Sequence, residues 1–229
     1  MQLLTTCYTL NKDHFESNTP LAYNKKIKLK NKKEEIFKFI QEINLPKEYA
    51  NNLIDNGFDI LDVLISQTKK GIALSYQNLK EIGINLPGER AKILVHLEEL
   101  SGNLNFNFNL DKDILYANKI DIKNNSLYKF LYSINYEKYI NDFIDAGYYN
   151  SELLFLQMAS RQPLNADILI EDIGLDKNDT KKIITNLIEG SKNFIEDIKY
   201  IAENKEKNKN KFVILEENNF KSCDICLIF

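Results

Sequence analysis

Cys226-Leu227-Ile228-Phe229 closes the 229-residue chain, and the residue types suit one reaction. A cysteine thiolate four residues from the end is the nucleophile that accepts an isoprenoid, the two aliphatic residues fill an apolar slot, and a terminal phenylalanine favours geranylgeranyl. Cys223 stands three residues upstream, where a reversible palmitoyl chain is commonly added beside a prenyl group. One lipid gives marginal membrane binding and two give residence. The pair also spells Cys-x-x-Cys, which elsewhere marks a zinc half-site or a redox couple. Zinc needs two further ligands and redox chemistry needs a supporting fold, and neither is visible in the sequence.

Other chemistry is sparse. His14 lies near the N-terminus and His96 in a helical stretch, where it reads as helix surface or core edge rather than as a general base. There is no glycine-rich phosphate loop, HExxH, GxSxG or EF-hand spacing. No two of the many carboxylates can be paired for acid and base work without a cleft. The expectation is therefore a non-enzymatic chain with no catalytic residue, no metal site and no cofactor.

Composition narrows the class further. At 44% hydrophobic content the chain folds, and a formal net charge of −3 gives no general attraction to nucleic acid. Only three cysteines occur, Cys7 besides the tail pair, so no disulfide framework is expected and a reducing compartment is. No run approaches the roughly 20 apolar residues of a membrane span, no signal peptide is read, and Gln2 after Met1 argues against N-myristoylation. Membrane contact is thus expected from the tail, on the cytoplasmic face. The lysine run Lys25, Lys26, Lys28, Lys30, Lys32 and Lys33 could supplement a lipid on an anionic leaflet, or be a solvated arm.

The elements that carry these features repeat at a displacement of about 91 residues. Ile36-Phe37-Lys38-Phe39-Ile40 returns as Leu127-Tyr128-Lys129-Phe130-Leu131, Gly57-Phe58 as Gly147-Tyr148, and Glu81-Ile82-Gly83-Ile84 as Asp172-Ile173-Gly174-Leu175. One residue is skipped near Pro46 and Glu137 and regained later. Each copy reads as four short helices and a longer one. Ser75, Ser126, Ser151 and Asn165 are expected caps, Gly57 and Gly83 stops, and Pro87 the first residue of the last helix of the first copy. Ala91, Ile93, Leu94, Leu97 and Leu100 would close that copy's core.

Leu79-Lys80-Glu81-Ile82-Gly83-Ile84, followed by Gly88, Arg90, Lys92, Ile93 and Leu94, resembles the sterile alpha motif (SAM) family of five-helix domains. Phe39 occupies the place of that family's usual tryptophan, which this chain lacks. The second copy has no glycine where Gly88 stands and is assigned by repeat more than by motif. The expected fold is all-α, with two SAM-like bundles in tandem. A basic arm covers 1–33, the first domain 34–101, an Asn-rich linker 102–125, the second domain with an extended last helix 126–200, and a flexible tail 201–229. In the linker, Leu104, Phe106, Phe108 and Leu110 alternate with polar residues, as an extended segment docked on one unit would.

The resemblance implies two interaction surfaces. One lies at the start of the last helix, with Gly88, Glu89, Arg90 and Lys92; the other is acidic, around the middle helices, with Asp55, Asp59 and Asp62. The matching positions of the second copy, Asp176, Asp179, Lys181 and Lys182, mix signs, and its middle surface would use Asp142, Asp145 and Glu152. Head-to-tail pairing of such surfaces makes open series unless the tandem caps itself. The expectation is a membrane-anchored adaptor or scaffold that binds SAM-containing partners or its own copies. Two alternatives stand beside it. In one, Arg90 and Lys92 bind an RNA hairpin, against which the net acidic charge argues; in the other, the chain recruits a SAM-containing signalling enzyme.

Overall fold

The computed structural model describes residues 32–71, 74–104, 112–118 and 125–220, with side chains as far as Ile201. The described residues are helical, without strands. The first unit comprises α1 (32–42), α2 (Lys47–Asp55), α3 (Leu61–Lys70), α4 (Tyr76–Glu81) and α5 (Pro87–Ser101). A short α6 (Lys112–Leu115) follows. The second unit comprises α7 (Ser126–Ser133), a 3₁₀ turn at Glu137–Tyr139 leading into α8 (Ile140–Asp145), α9 (Ser151–Ala159), a π turn at Ile168–Asp172 and α10 (Lys177–Phe220).

Local chemistry sets these boundaries. In α1, Ile36, Phe39 and Ile40 recur at helical spacing and are fully buried together with Ile43 in the turn that follows. Ser75 and Asn78 form a reciprocal capping box at α4, and Pro87 begins α5, where its missing N–H leaves no helical bond unmade. In the second unit the caps sit one residue before the expected serines: the Asn125 side chain accepts from Leu127 N and that of Asn150 from Leu153 N. Asn165 caps as expected, accepting from Ile168 N at 2.9 Å.

The repeat is visible in the backbone. Asn44 and Asn135 take φ of 53° and 60°, Gly57 and Gly147 both take 87°, and Gly83 and Gly174 take 91° and 92°. Phe58 N bonds Leu53 O and Tyr148 N bonds Phe143 O, each at 2.9 Å, closing two helices with the same turn. The skipped and regained residue has a physical form. The 3₁₀ turn at Glu137–Tyr139 climbs with fewer residues per turn than the α2 start it replaces, and the π turn at Ile168–Asp172 spends the extra one before Gly174.

Two features depart from expectation. Helix α5 is buried on nearly every side from Arg90 to Glu98, while Leu100, expected in the core, is exposed. A helix covered all round belongs to the interior of a larger body, and α5 packs on α3 and α4 of its own unit and on α9 of the other. Helix α10 runs on to Phe220, past the tether expected from 201, over a stretch dense in lysine and glutamate, which are good helix formers. The described part of the linker is not extended: it turns helical at α6 and buries Leu115 and Tyr116. Phe106, Phe108 and Leu110 lie outside the described residues.

Candidate functional site

The start of α5 is brought against the second unit at the α8–α9 turn. Gly88 N donates to Ala146 O at 2.8 Å, and a Cβ on Gly88 would fall 2.2 Å from Gly147 O. Only glycine allows that approach, because the obstructing atom is backbone. Tyr148, fully buried beneath the turn, donates from its hydroxyl to Gln157 Oε1 at 2.6 Å. Burial holds the Tyr148 hydroxyl pKa well above the usual tyrosine range.

Arg90 is the charged centre of this contact. Its side chain is fully buried; Nη2 meets Asp172 Oδ2 at 2.5 Å, Nη1 donates to Ile84 O at 3.3 Å, and the guanidinium lies 4.2 Å from the centre of the Tyr76 ring. Lys80 reaches the other oxygen of Asp172 at 2.6 Å. Burial lifts the Tyr76 hydroxyl to about 12, against the pull of Arg90. A buried arginine needs such a planar, two-sided partner, since an uncompensated charge in the interior is costly.

Two further sets of bonds tie the units. Arg161 N donates to Glu98 Oε1 at 2.9 Å, and its guanidinium donates to Thr68 O at 2.8 Å and Asn103 Oδ1 at 3.2 Å. Gln162 accepts from Tyr76 N and donates to Leu74 O. Burial raises the Glu98 carboxyl pKa while Arg161 lowers it. On the other flank, Lys92 Nζ donates to Tyr116 O, Ala117 O and Asn118 Oδ1 at 3.2, 3.1 and 2.7 Å. Burial pushes the Lys92 ammonium down to about 8, with Glu89 pulling it back. Asn150 Nδ2 donates to Ile114 O and Leu115 O, so the α6 segment is held by both units at once.

Three of the four residues expected at the last-helix surface, Gly88, Arg90 and Lys92, therefore point into the chain, and Glu89 is half-buried, accepting from the Tyr49 hydroxyl at 2.6 Å. On the middle surface Asp55 and Asp62 are exposed and Asp59 is half-buried. In the second unit Asp179 meets Lys138 at 2.6 Å and the Tyr139 hydroxyl at 2.8 Å, while Lys181 and Lys182 are exposed. Asp142 is half-buried, Asp145 exposed, and Glu152 accepts from the Ser126 hydroxyl. Lys32 and Lys33 open α1; Lys25, Lys26, Lys28, Lys30, Cys7, His14, Cys223 and Cys226 lie outside the described residues.

His96 is neither surface nor core edge. It is fully buried, stacked on Phe39 with ring centres 5.3 Å apart, its Nδ1 2.8 Å from Glu99 Oε2, and that bond holds the Glu99 carboxyl below its usual range. Among the described residues no group of three or more His, Cys, Asp or Glu side chains could hold a metal ion, and no helix is long and apolar enough to cross a membrane.

Sequence reasoning missed Asp172, Arg161 and Tyr116. The one visible signal was Gln157, a polar residue inside the apolar run Leu153-Leu154-Phe155-Leu156, now seen fully buried under the contact.

What these elements define, among the described residues, is an all-helical fold in which the start of α5 is covered by the second unit. Residues 31–101 of the 229 match the family model of the SAM domain (sterile alpha motif). SAM domains mediate association with themselves or with other SAM proteins. No curated protein and no solved structure matches the chain.

Proposed function

We propose that residues 126–200 form a second SAM domain and that the chain is a non-enzymatic adaptor, tethered to the cytoplasmic face of a membrane by a prenyl group on Cys226 and a palmitoyl group on Cys223. The observation that carries the adaptor reading is the Gly88–Ala146 contact, in which a helix start of one unit sits on a turn of the next. The paired φ values and the shared 2.9 Å turn bonds support the second domain. Helix α10, 44 residues and about 66 Å long, would set the lipid apart from the paired units. Confinement to a surface raises the effective concentration of anything the adaptor holds. The RNA reading is weakened because Arg90 and Lys92, its basic patch, are buried.

The test is intact mass of the protein from its native cells, split between membrane and soluble fractions, beside a Cys226→Ser control. A C-terminal isoprenoid with loss of Leu227, Ile228 and Phe229, confined to the membrane fraction, supports the anchored adaptor. An unmodified chain in the soluble fraction removes the anchor.

A further inference from the structure

Where α5 packs on α4 and on α9, four polar side chains come together beneath the contact between the units. The Arg90 guanidinium lies 4.2 Å from the centre of the Tyr76 ring, and the Tyr148 hydroxyl donates to Gln157 Oε1 at 2.6 Å. Besides burial, the Tyr148 hydroxyl feels both Tyr76 and Arg90. Burial raises the Tyr76 hydroxyl to about 12, and Arg90 and Tyr148 pull against it, so its oxygen stands close to both. Arg90, Tyr148 and Gln157 are fully buried.

Three atoms of this cluster, Arg90 Nε, Gln157 Nε2 and the Tyr76 hydroxyl, are buried without a hydrogen-bond partner. Among the described residues only one other side-chain atom is in that condition, the Tyr116 hydroxyl. A buried polar atom left unpaired bears the full cost of its lost hydration, and such atoms are uncommon. Three in one place point to a shared partner from outside the chain.

The chemistry of that partner follows from theirs. Arg90 Nε has one hydrogen to give and cannot accept; Gln157 Nε2, on an amide whose oxygen is taken by Tyr148, has two; the Tyr76 hydroxyl can turn its hydrogen the same way. Charge agrees with this. Asp172 is divided between Arg90 at 2.5 Å and Lys80 at 2.6 Å, which leaves two cations to one carboxylate. The carboxylates of α5 are turned elsewhere, Glu98 to Arg161 N and Glu89 to the Tyr49 hydroxyl.

We infer that Arg90 Nε, Gln157 Nε2 and the Tyr76 hydroxyl form a binding site for a small monovalent anion of halide size, enclosed beneath the contact between the units. Enclosure sets the size, since close-packed buried side chains leave room for a monatomic ion and not for a phosphate. Tyr76 and Arg90 belong to one unit and Gln157 to the other, so the anion binds only the joined, folded chain and stabilises it.

The probe is chloride, exchanged for gluconate at constant ionic strength and neutral pH. The melting temperature of the full chain, followed by circular dichroism, is expected to rise by about 3 °C between about 1 and 100 mM chloride and then to level off. Tyr76→Phe and Gln157→Met each remove a donor without changing charge, and each is expected to abolish most of that rise. A purely structural role would lower the melting temperature and leave the chloride response intact. In crystals grown from sodium bromide, anomalous scattering is expected to place a bromide ion between Arg90, Gln157 and Tyr76. No saturable rise, a rise that both variants keep, or a water molecule where bromide is expected overturns the inference.

Discussion

The turns at Gly57 and Gly147 share a backbone conformation, yet one is open and the other is closed over. The difference lies in what reaches them. Residues 86–92 combine a glycine that permits backbone contact, a helix N-terminus and an arginine aimed at Asp172, and among the described residues that combination meets the Gly147 turn and not the Gly57 turn. A glycine turn is a common way to stop a helix, so what separates the two turns is the helix start that reaches one of them.

The largest effect should come from the donor unit's own core. Phe39→Ala removes a fully buried ring stacked on His96 and is expected to cost about 3–5 kcal/mol in urea unfolding. Because α5 is shared between the units, both should unfold in one transition; two separate transitions would mean the units are independent.

Next is the ion pair. Asp172→Asn leaves Arg90 buried beside a neutral partner and is expected to cost about 3 kcal/mol. Glu81→Gln, the equivalent change at the open turn, should stay within about 0.5 kcal/mol. Equal costs would erase the distinction between the two turns.

Lys92 gives the smallest and most specific signal. Its folded pKa is near 8, below the 10.5 of the unfolded chain. Below pH 8 both states hold the proton and this contribution is constant. Between about 8 and 10.5 the folded chain releases a proton that the unfolded chain keeps, so stability rises with pH, by at most about 1.4 kcal/mol per unit. Tyr76, raised to about 12, acts oppositely above pH 10, because the folded chain then retains a proton that the unfolded chain loses. The melting temperature of the unmodified chain minus that of Lys92→Met should therefore climb between pH 8 and 10; a flat difference would show Lys92 is not buried as a charge.

The sequence carried the turns because they are local. Gly57, Gly83, Ser75 and Pro87 act through bonds to residues within a few positions, so their types predict their geometry. The repeat also announced where it slipped, which the structure renders as a 3₁₀ turn and a π turn. The contact between units was illegible: Arg90 and Asp172 are 82 residues apart, and nothing near either specifies the other. Arg90 and Lys92 were read as surface and His96 as helix surface or core edge, because charged and polar residues usually are; their burial depends on acceptors from Asp172, Tyr116 and Glu99. The covering of the Gly147 turn was hidden for a related reason, since a helix-stopping glycine looks the same whether its turn is covered or bare.

The central claim is that the α5 start is consumed inside the chain, and Gly88→Val tests it most directly. Small-angle scattering of the unmodified and substituted chains, each confirmed helical and monomeric, reads the relation between the units. The account predicts that valine, driven against the Gly147 carbonyl, parts them and lengthens the particle while leaving helix content unchanged. Superimposable scattering curves would contradict it.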